Sequence, residues 1–204
     1  MATTTRRTQA ERRALSERRV LDAAAQLIAA RGTSDVSFTE IATAAGCARG
    51  LPGYLFGTKA YLLDSLVRDL LHQFMDDVLR PRLDRGGLVA VLTVARLFLR
   101  MLAPLQEGTH AIYVLIGESL EPDAPASASI NEHHRAIRDM FRGWIIEGIE
   151  AGEIRADLHP DSAAVLLLAQ LRGLGLLAIA DPDAYDLRRL SRELKLSITA
   201  AFAA

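Results

Sequence analysis

The sequence predicts an all-α protein, and three observations carry that prediction. Apolar residues recur three and four positions apart through most of the chain. Helix starts are marked ahead of such runs, most fully by Ser37 with Glu40 three residues later. The glycines end or space those runs and form no Gly-rich phosphate loop after a strand. With 204 residues, half of them hydrophobic, the chain can bury a sizeable core as one large domain or as a small one joined to a medium one.

The stretch Ser37 to Lys59 organises the rest. Ser37 and Glu40 form a capping box, and Val36 and Ile41 stand at the N′ and N4 positions of a hydrophobic staple, so a helix begins at Phe38. Ile41, Ala42 and Ala45 continue it, and Gly46 stops it where a left-handed residue carries no Cβ penalty. After the turn at Gly46 and Cys47 a second helix is expected over Ala48 to Phe56, and Thr58 caps a third at Lys59. Two helices joined by a short glycine-containing turn can place the second in a DNA major groove about 12 Å wide.

This stretch resembles the DNA-binding end of the TetR family of one-component transcriptional regulators. The pattern is I-A-x-x-A-G, a small hydrophobic residue, a short recognition helix, then aromatic-Phe-x-Ser/Thr-Lys. Ile41, Ala42, Ala45, Gly46, Cys47, Arg49, Gly50, Phe56, Thr58 and Lys59 match it. Pro52 and Gly53 stand where the family usually has Leu or Ile then Tyr, and Leu55 replaces a common Tyr or His. Proline costs about 3 kcal/mol inside a helix but is tolerated in the first turn, so a short or 3₁₀-like recognition helix is expected. The resemblance implies nine or ten helices, a three-helix DNA-binding domain at the N terminus, and a C-terminal helical bundle for ligand binding and dimerisation.

Charge and composition narrow the function classes. Residues 1 to 60 hold nine Lys or Arg against five Asp or Glu, giving +4, whereas 61 to 204 hold fifteen against twenty, giving −5. Polyanion binding confined to one end predicts this division. A single cysteine excludes an intramolecular disulfide framework and a zinc-finger explanation; Cys47 reads as a small buried residue of the turn. The opening nineteen residues contain no apolar h-region of a secretory signal, so the chain is expected in the cytoplasm. No nucleophile elbow is present, and the adjacent His133 and His134 diverge by about 100° on a helix, so neither catalysis nor a metal or cofactor is expected.

The remaining elements follow in order. Residues 1 to 15, with Arg6, Arg7, Arg12 and Arg13, are expected to form a basic flexible arm, either solvating or entering a minor groove. From a cap at Ser16, Val20, Leu21, Ala24, Leu27 and Ile28 mark a helix ending before Gly32, which packs behind the motif; the DNA-binding domain is placed at 16–60. The ligand-binding and dimerisation domain is placed at 61–204. Within it, Leu62, Leu63, Leu66, Val67, Leu70, Phe74 and Val78 give one long helix from Thr58 to about Leu79, stopped near Pro81. Helices are expected over Leu88–Ala103, Thr109–Leu120, Ser129–Ala151, Ala163–Ala180 and from Ala184 onward. Ala163–Ala180 is apolar, yet Gln170, Arg172, Gly173 and Gly175 oppose a membrane span.

The resemblance assigns sites. Arg49 and Tyr54 are the first candidates for DNA contact, Tyr54 through its hydroxyl to a phosphate oxygen. Leu51 and Gly53 are expected close to base edges, Lys59 and the N terminus of its helix on phosphate, and Gly50 and Thr58 within the same DNA-binding set. Arginine can hold guanine O6 and N7 in bidentate fashion. Effector candidates are polar-tipped residues on otherwise apolar helices: Arg96, Arg100, Tyr113, Glu118, Trp144, Gln170 and Arg172. For each, a satisfied core hydrogen bond is the competing reading. The last two helices are expected to form a homodimer interface through Leu174, Leu187, Leu190, Leu194 and Ile198. Two copies would set recognition helices about 34 to 36 Å apart on a palindromic operator, released by a small molecule. The alternative is a helical ligand- or partner-binding protein whose DNA motif has decayed at Pro52 and Gly53.

Overall fold

A computed structural model of the chain describes residues 8–80, 83, 85–102, 107–121 and 123–204, the side chains of 71, 77, 78 and 107 excepted. The described residues form nine α-helices and one π-helical stretch, with no strand beyond an isolated antiparallel bridge between Ile154 and Ala203. The all-α expectation is met.

Helix α1 (Gln9–Arg31) starts seven residues before the expected Ser16, because Thr8 and Glu11 make a capping box of their own upstream. Part of the stretch expected as a flexible arm is therefore helical. Arg6 and Arg7 lie outside the described residues. Helix α2 (Phe38–Ala44) begins as expected, with both bonds of the Ser37–Glu40 box formed and Val36 and Ile41 both buried. Gly46 has φ +61° in the turn that follows, a conformation that suits glycine.

Helix α3 (Leu51–Phe56) is short, α rather than 3₁₀, and begins three residues later than expected. Pro52 falls in its first turn, where its missing N–H removes no intrahelical bond. Helix α4 (Lys59–His72), capped by Thr58, runs on into a π-helical stretch over Gln73–Leu79, so the single long helix expected there changes its winding in its last seven residues. The expected stop at Pro81 lies outside the described residues.

Helices α5 (Gly87–Leu102), α6 (Glu107–Glu118), α7 (Ser127–Glu150), α8 (Pro160–Ala180) and α9 (Leu187–Phe202) complete the fold. Two apolar clusters hold it together. The first joins α1 to α4 and extends to Ala111 and Leu115 of α6 and Ala126 and Ile130 at the start of α7, across the boundary expected near residue 60. The second is built from α5, α7, α8 and α9, with Leu79 and Tyr113. Ile112 packs against both. Hydrophobic burial at about 25 cal/mol per Å² makes such continuous packing the main stabilising contribution.

Leu194 and Ile198, expected at a dimer interface, lie 7% and 1% exposed in the second cluster, and Leu174 and Leu187 pack against it. Leu187, Leu194 and Ile198 serve the protomer's own core because α9 folds its apolar stripe back onto α5. Leu174 joins it from α8, and Leu190 is partly exposed. The apolar side chains left outside are instead Val165, Leu166, Leu176 and Leu177 of α8 and Leu196 of α9.

Candidate nucleic-acid interface and ligand cavity

The turn of the helix-turn-helix is fixed from behind. Arg19 of α1 donates from Nη2 to the carbonyls of Ala45 (2.6 Å) and Gly46 (3.3 Å), satisfying acceptors that the end of α2 leaves free. Arg31 pairs with Glu40 at 3.0 Å, and the Ser37 hydroxyl and N–H also donate to Glu40. Those Ser37 bonds first, and Arg31 next, hold the Glu40 carboxyl down to about 2, so it stays ionised as the cap.

What remains outward is the other side of the motif. Arg49, Gly50 and Thr58 are exposed, Tyr54 is 76% exposed and Lys59 is partly exposed, whereas Leu51, also partly exposed, packs against the first cluster and Gly53 faces Phe38 of α2. Pro52, Leu55 and Phe56 turn inward and seat the short helix. Lys59 Nζ lies 3.5 Å from the Ser34 carbonyl, at the start of α4. Cys47 is a free, half-buried cysteine packed against the first cluster. Tyr61, in the first turn of α4 and not among the candidates, is 55% exposed, its ring centroid 6.4 Å from that of Phe56.

A cavity of about 260 Å³ lies in the second half of the molecule, between the π-helical stretch, α5, α6, α7 and α8. Phe74, Val94, Phe98, Met101, Ile137 and Leu168 supply apolar walls. Its polar groups are Gln73, Thr109, Tyr113, His133 and Arg172. Gln73, Phe74 and Met75 come from the π-helical stretch, a winding that recurs at functional sites. The helix that starts beside the recognition helix therefore ends as a wall of the cavity.

Of the seven effector candidates from the sequence, Tyr113 and Arg172 line this cavity. Arg96, Arg100 and Gln170 are exposed and away from it. Trp144 packs on Phe141, with ring centroids 5.8 Å apart, and Glu118 reaches the N-terminal half of the molecule. Periodicity reveals that a helix has a polar stripe, not whether that stripe faces a cavity or water. Gln73, Thr109 and His133 were not among the candidates; a histidine on a largely buried face of α7 was the available signal for one of them.

Arg172 Nη2 stands 2.6 Å from His133 Nε2, and the guanidinium lies 5.8 Å from the centre of the Tyr113 ring. Burial lowers the Arg172 pKa, with Tyr113 acting in the opposite direction. Burial raises the Tyr113 hydroxyl, partly offset by the Arg172 charge. His133 is pushed down to about 3 by burial first and then by the charges of Arg172 and His134, so it is neutral at pH 7.

Comparison with known proteins matches residues 20–66, from within α1 through α2 and α3 into α4, to the profile of bacterial regulatory proteins of the tetR family. Residues 20–66 of the chain carry the N-terminal domain of tetR-family regulatory proteins. Its relatives extend the likeness along the chain. It is 25% identical over 179 residues to the fatty acid metabolism regulator protein of Bacillus subtilis, covering 86% of this chain and 89% of the relative. It is 24% identical over 173 residues to the HTH-type transcriptional regulator TtgR of Pseudomonas putida, covering 82% of each. The fold is that of the transcriptional regulator FadR from Bacillus subtilis solved in complex with stearoyl-CoA, with a TM-score of 0.77 at 23% identity over 90% of this chain and 97% of that one. The matched segment is that of a DNA-binding transcriptional regulator.

Proposed function

We propose that the protein is a cytoplasmic repressor that binds a palindromic operator as a homodimer and leaves it when a small molecule enters the cavity. The observation that carries this reading is the path of α4, which begins at Lys59 against the recognition helix and runs into the Gln73–Leu79 wall of the cavity. A ligand that fits the cavity better in one tilt of α4 than in another shifts the population between operator-competent and operator-incompetent spacings by its differential affinity. No covalent chemistry is required of the chain, which we take to be no enzyme.

The proposed contacts are Arg49, Gly50, Leu51, Gly53 and Tyr54 at the groove, with Thr58 and Lys59 on phosphate. Division into a DNA-binding unit at 16–60 and an effector and dimer unit from 61 onward is the functional boundary of this proposal. Dimerisation draws on the outward face of α8, where Leu166, Ala169, Gly173 and Leu176 recur at helical spacing and are exposed in the protomer. By length and composition Pro160–Ala180 would also cross a membrane. Its opposite face, with Ala164, Leu167 and Leu171, is spent on the bundle core, which supports a partner helix rather than lipid on the outward side.

The test is capture of fragmented genomic DNA by the purified protein beside an Arg49→Ala/Tyr54→Ala double variant. Enrichment of a palindrome by the natural protein and not by the variant supports the reading; equal enrichment by both removes these two residues from the interface. Failure of the folded dimer to enrich any sequence at low salt would favour the decayed-motif alternative.

A further inference from the structure

The polar end of the cavity is a set of donors. Arginine carries no acceptor, so the 2.6 Å contact fixes His133 Nε2 as the acceptor and leaves the ring proton on Nδ1. His133 Nδ1, Arg172 Nε and the Tyr113 hydroxyl are all buried, and none has a hydrogen-bond partner among the described residues. Buried polar atoms are rarely left so, and a buried cation without an anion is costly. Burial and Tyr113 are the influences on the charge of Arg172, and among the described residues no carboxylate offsets it.

Arg172 has a second outlook. It also borders a shallower depression between α7 and α8, shared with Asn131, His134, Arg135 and Arg138, with no acidic residue among the described lining. Arg135 and Arg138 are exposed there. An apolar chamber thus ends at a buried guanidinium, and beyond it the positive charge continues toward solvent.

We propose that the effector is an amphiphile with an apolar body in the cavity and an acceptor-only, anionic head at Arg172, Tyr113 and His133. This rests on the reading of the cavity as the effector site. A free carboxylate and the phosphate-bearing head of an acyl thioester share this chemistry. The larger head would extend toward Arg135 and Arg138, whereas the smaller would stop at Arg172. Neutral and cationic amphiphiles are disfavoured, since neither compensates the guanidinium.

Titration calorimetry on the full-length protein with decanoate, decanoyl-coenzyme A and decanol tests this. At least one of the two anionic probes should bind about tenfold or more tightly than decanol. Arg172→Gln should bring that probe to the level of decanol while leaving decanol unchanged. Should that variant not fold, Tyr113→Phe, which removes one donor, should weaken the anion several-fold and spare the alcohol. An Arg135→Ala/Arg138→Ala double variant separates the heads: decanoyl-coenzyme A binding more tightly than decanoate and losing that advantage in the variant assigns the phosphate-bearing head, whereas decanoate binding the more tightly and unaltered in the variant assigns the free carboxylate. Equal binding of acid and alcohol, no binding of either anion, or anion binding indifferent to both cavity variants would overturn the inference. Operator capture on the same preparations keeps the two readings apart, since a protein that holds its palindrome without any anion preference loses only the effector class.

Discussion

Glu118, the last residue of α6, accepts a 2.8 Å hydrogen bond at Oε1 from the backbone N–H of Thr33, in the turn between α1 and α2. Thr33 is buried, so this donor has little access to water. The same helix lines the cavity with Thr109, Ile112 and Tyr113, so one element touches both the cavity and the entry to the helix-turn-helix.

Removing that acceptor leaves a buried N–H unpaired. Glu118→Ala should therefore cost about 1–3 kcal/mol in urea-induced unfolding. Glu118→Gln, which retains an acceptor oxygen, should lose less. An effector response that weakens in Glu118→Ala beyond its stability loss would identify α6 as a second route of coupling beside α4; an unaltered response leaves α4 as the sole route.

Arg49 is exposed at the head of the recognition segment and has no packing role to lose. Its substitution by alanine should leave the thermal midpoint unmoved and weaken specific operator binding by about 1–3 kcal/mol. Lys59→Ala should instead weaken binding across sequences and reduce the salt slope by about one. Fluorescence anisotropy at several salt concentrations distinguishes the two patterns.

The dimer prediction separates two sets of leucines. Leu166→Glu with Leu176→Glu places charges on the outward face of α8 and should give a folded monomer in light scattering. Leu194→Ala, by contrast, empties a position 7% exposed in the protomer core and should cost about 2–5 kcal/mol in stability. A dimer that survives the double charge would exclude this face as the interface.

Gly87 begins α5 with φ +75°, and a Cβ there would stand 2.6 Å from Glu153 Oε2, which accepts the Leu88 N–H. Gly87→Ala should lower stability by about 1–2 kcal/mol from the left-handed backbone alone. Displacement of Glu153 would add to that. Gly143→Ala, in an α7 position where a Cβ meets nothing within 4 Å, is the control and should be neutral or slightly stabilising.

The buried imidazole of His133 makes stability depend on pH. Its ordinary value of 6.5 is lowered to about 3 in the fold, so above 6.5 neither the folded nor the unfolded chain protonates it. Between 6.5 and about 3 the unfolded chain binds the proton and the fold does not, so stability falls as pH falls through that window. His133→Gln should flatten this slope in denaturation series at stepped pH. His134, lowered in the same direction, retains a slope of the same sign in that variant.

Local chemistry was enough to specify the helices and the outward motif. Ser37 with Glu40, Gly46 and Thr58 act within a few residues of themselves, and so they set α2, the turn and the start of α4. The Thr8–Glu11 box carries the same signal upstream and is equally legible there. Exposure of Arg49 and Tyr54 follows from the short helix whose apolar residues Leu55 and Phe56 join the cluster of α1, α2 and α4. Where the polar stripes of the later helices point was settled only on folding. Arg96 of α5 and Arg172 of α8 look alike in sequence, yet one faces solvent and the other ends in a cavity closed by four other elements. Likewise Leu194 and Leu176 are both apolar at helical spacing, and only the crossing of α9 on α5 buries the first and leaves the second outside. A hydrophobic period fixes the face a helix must bury; which neighbour covers that face depends on packing between segments far apart in the chain.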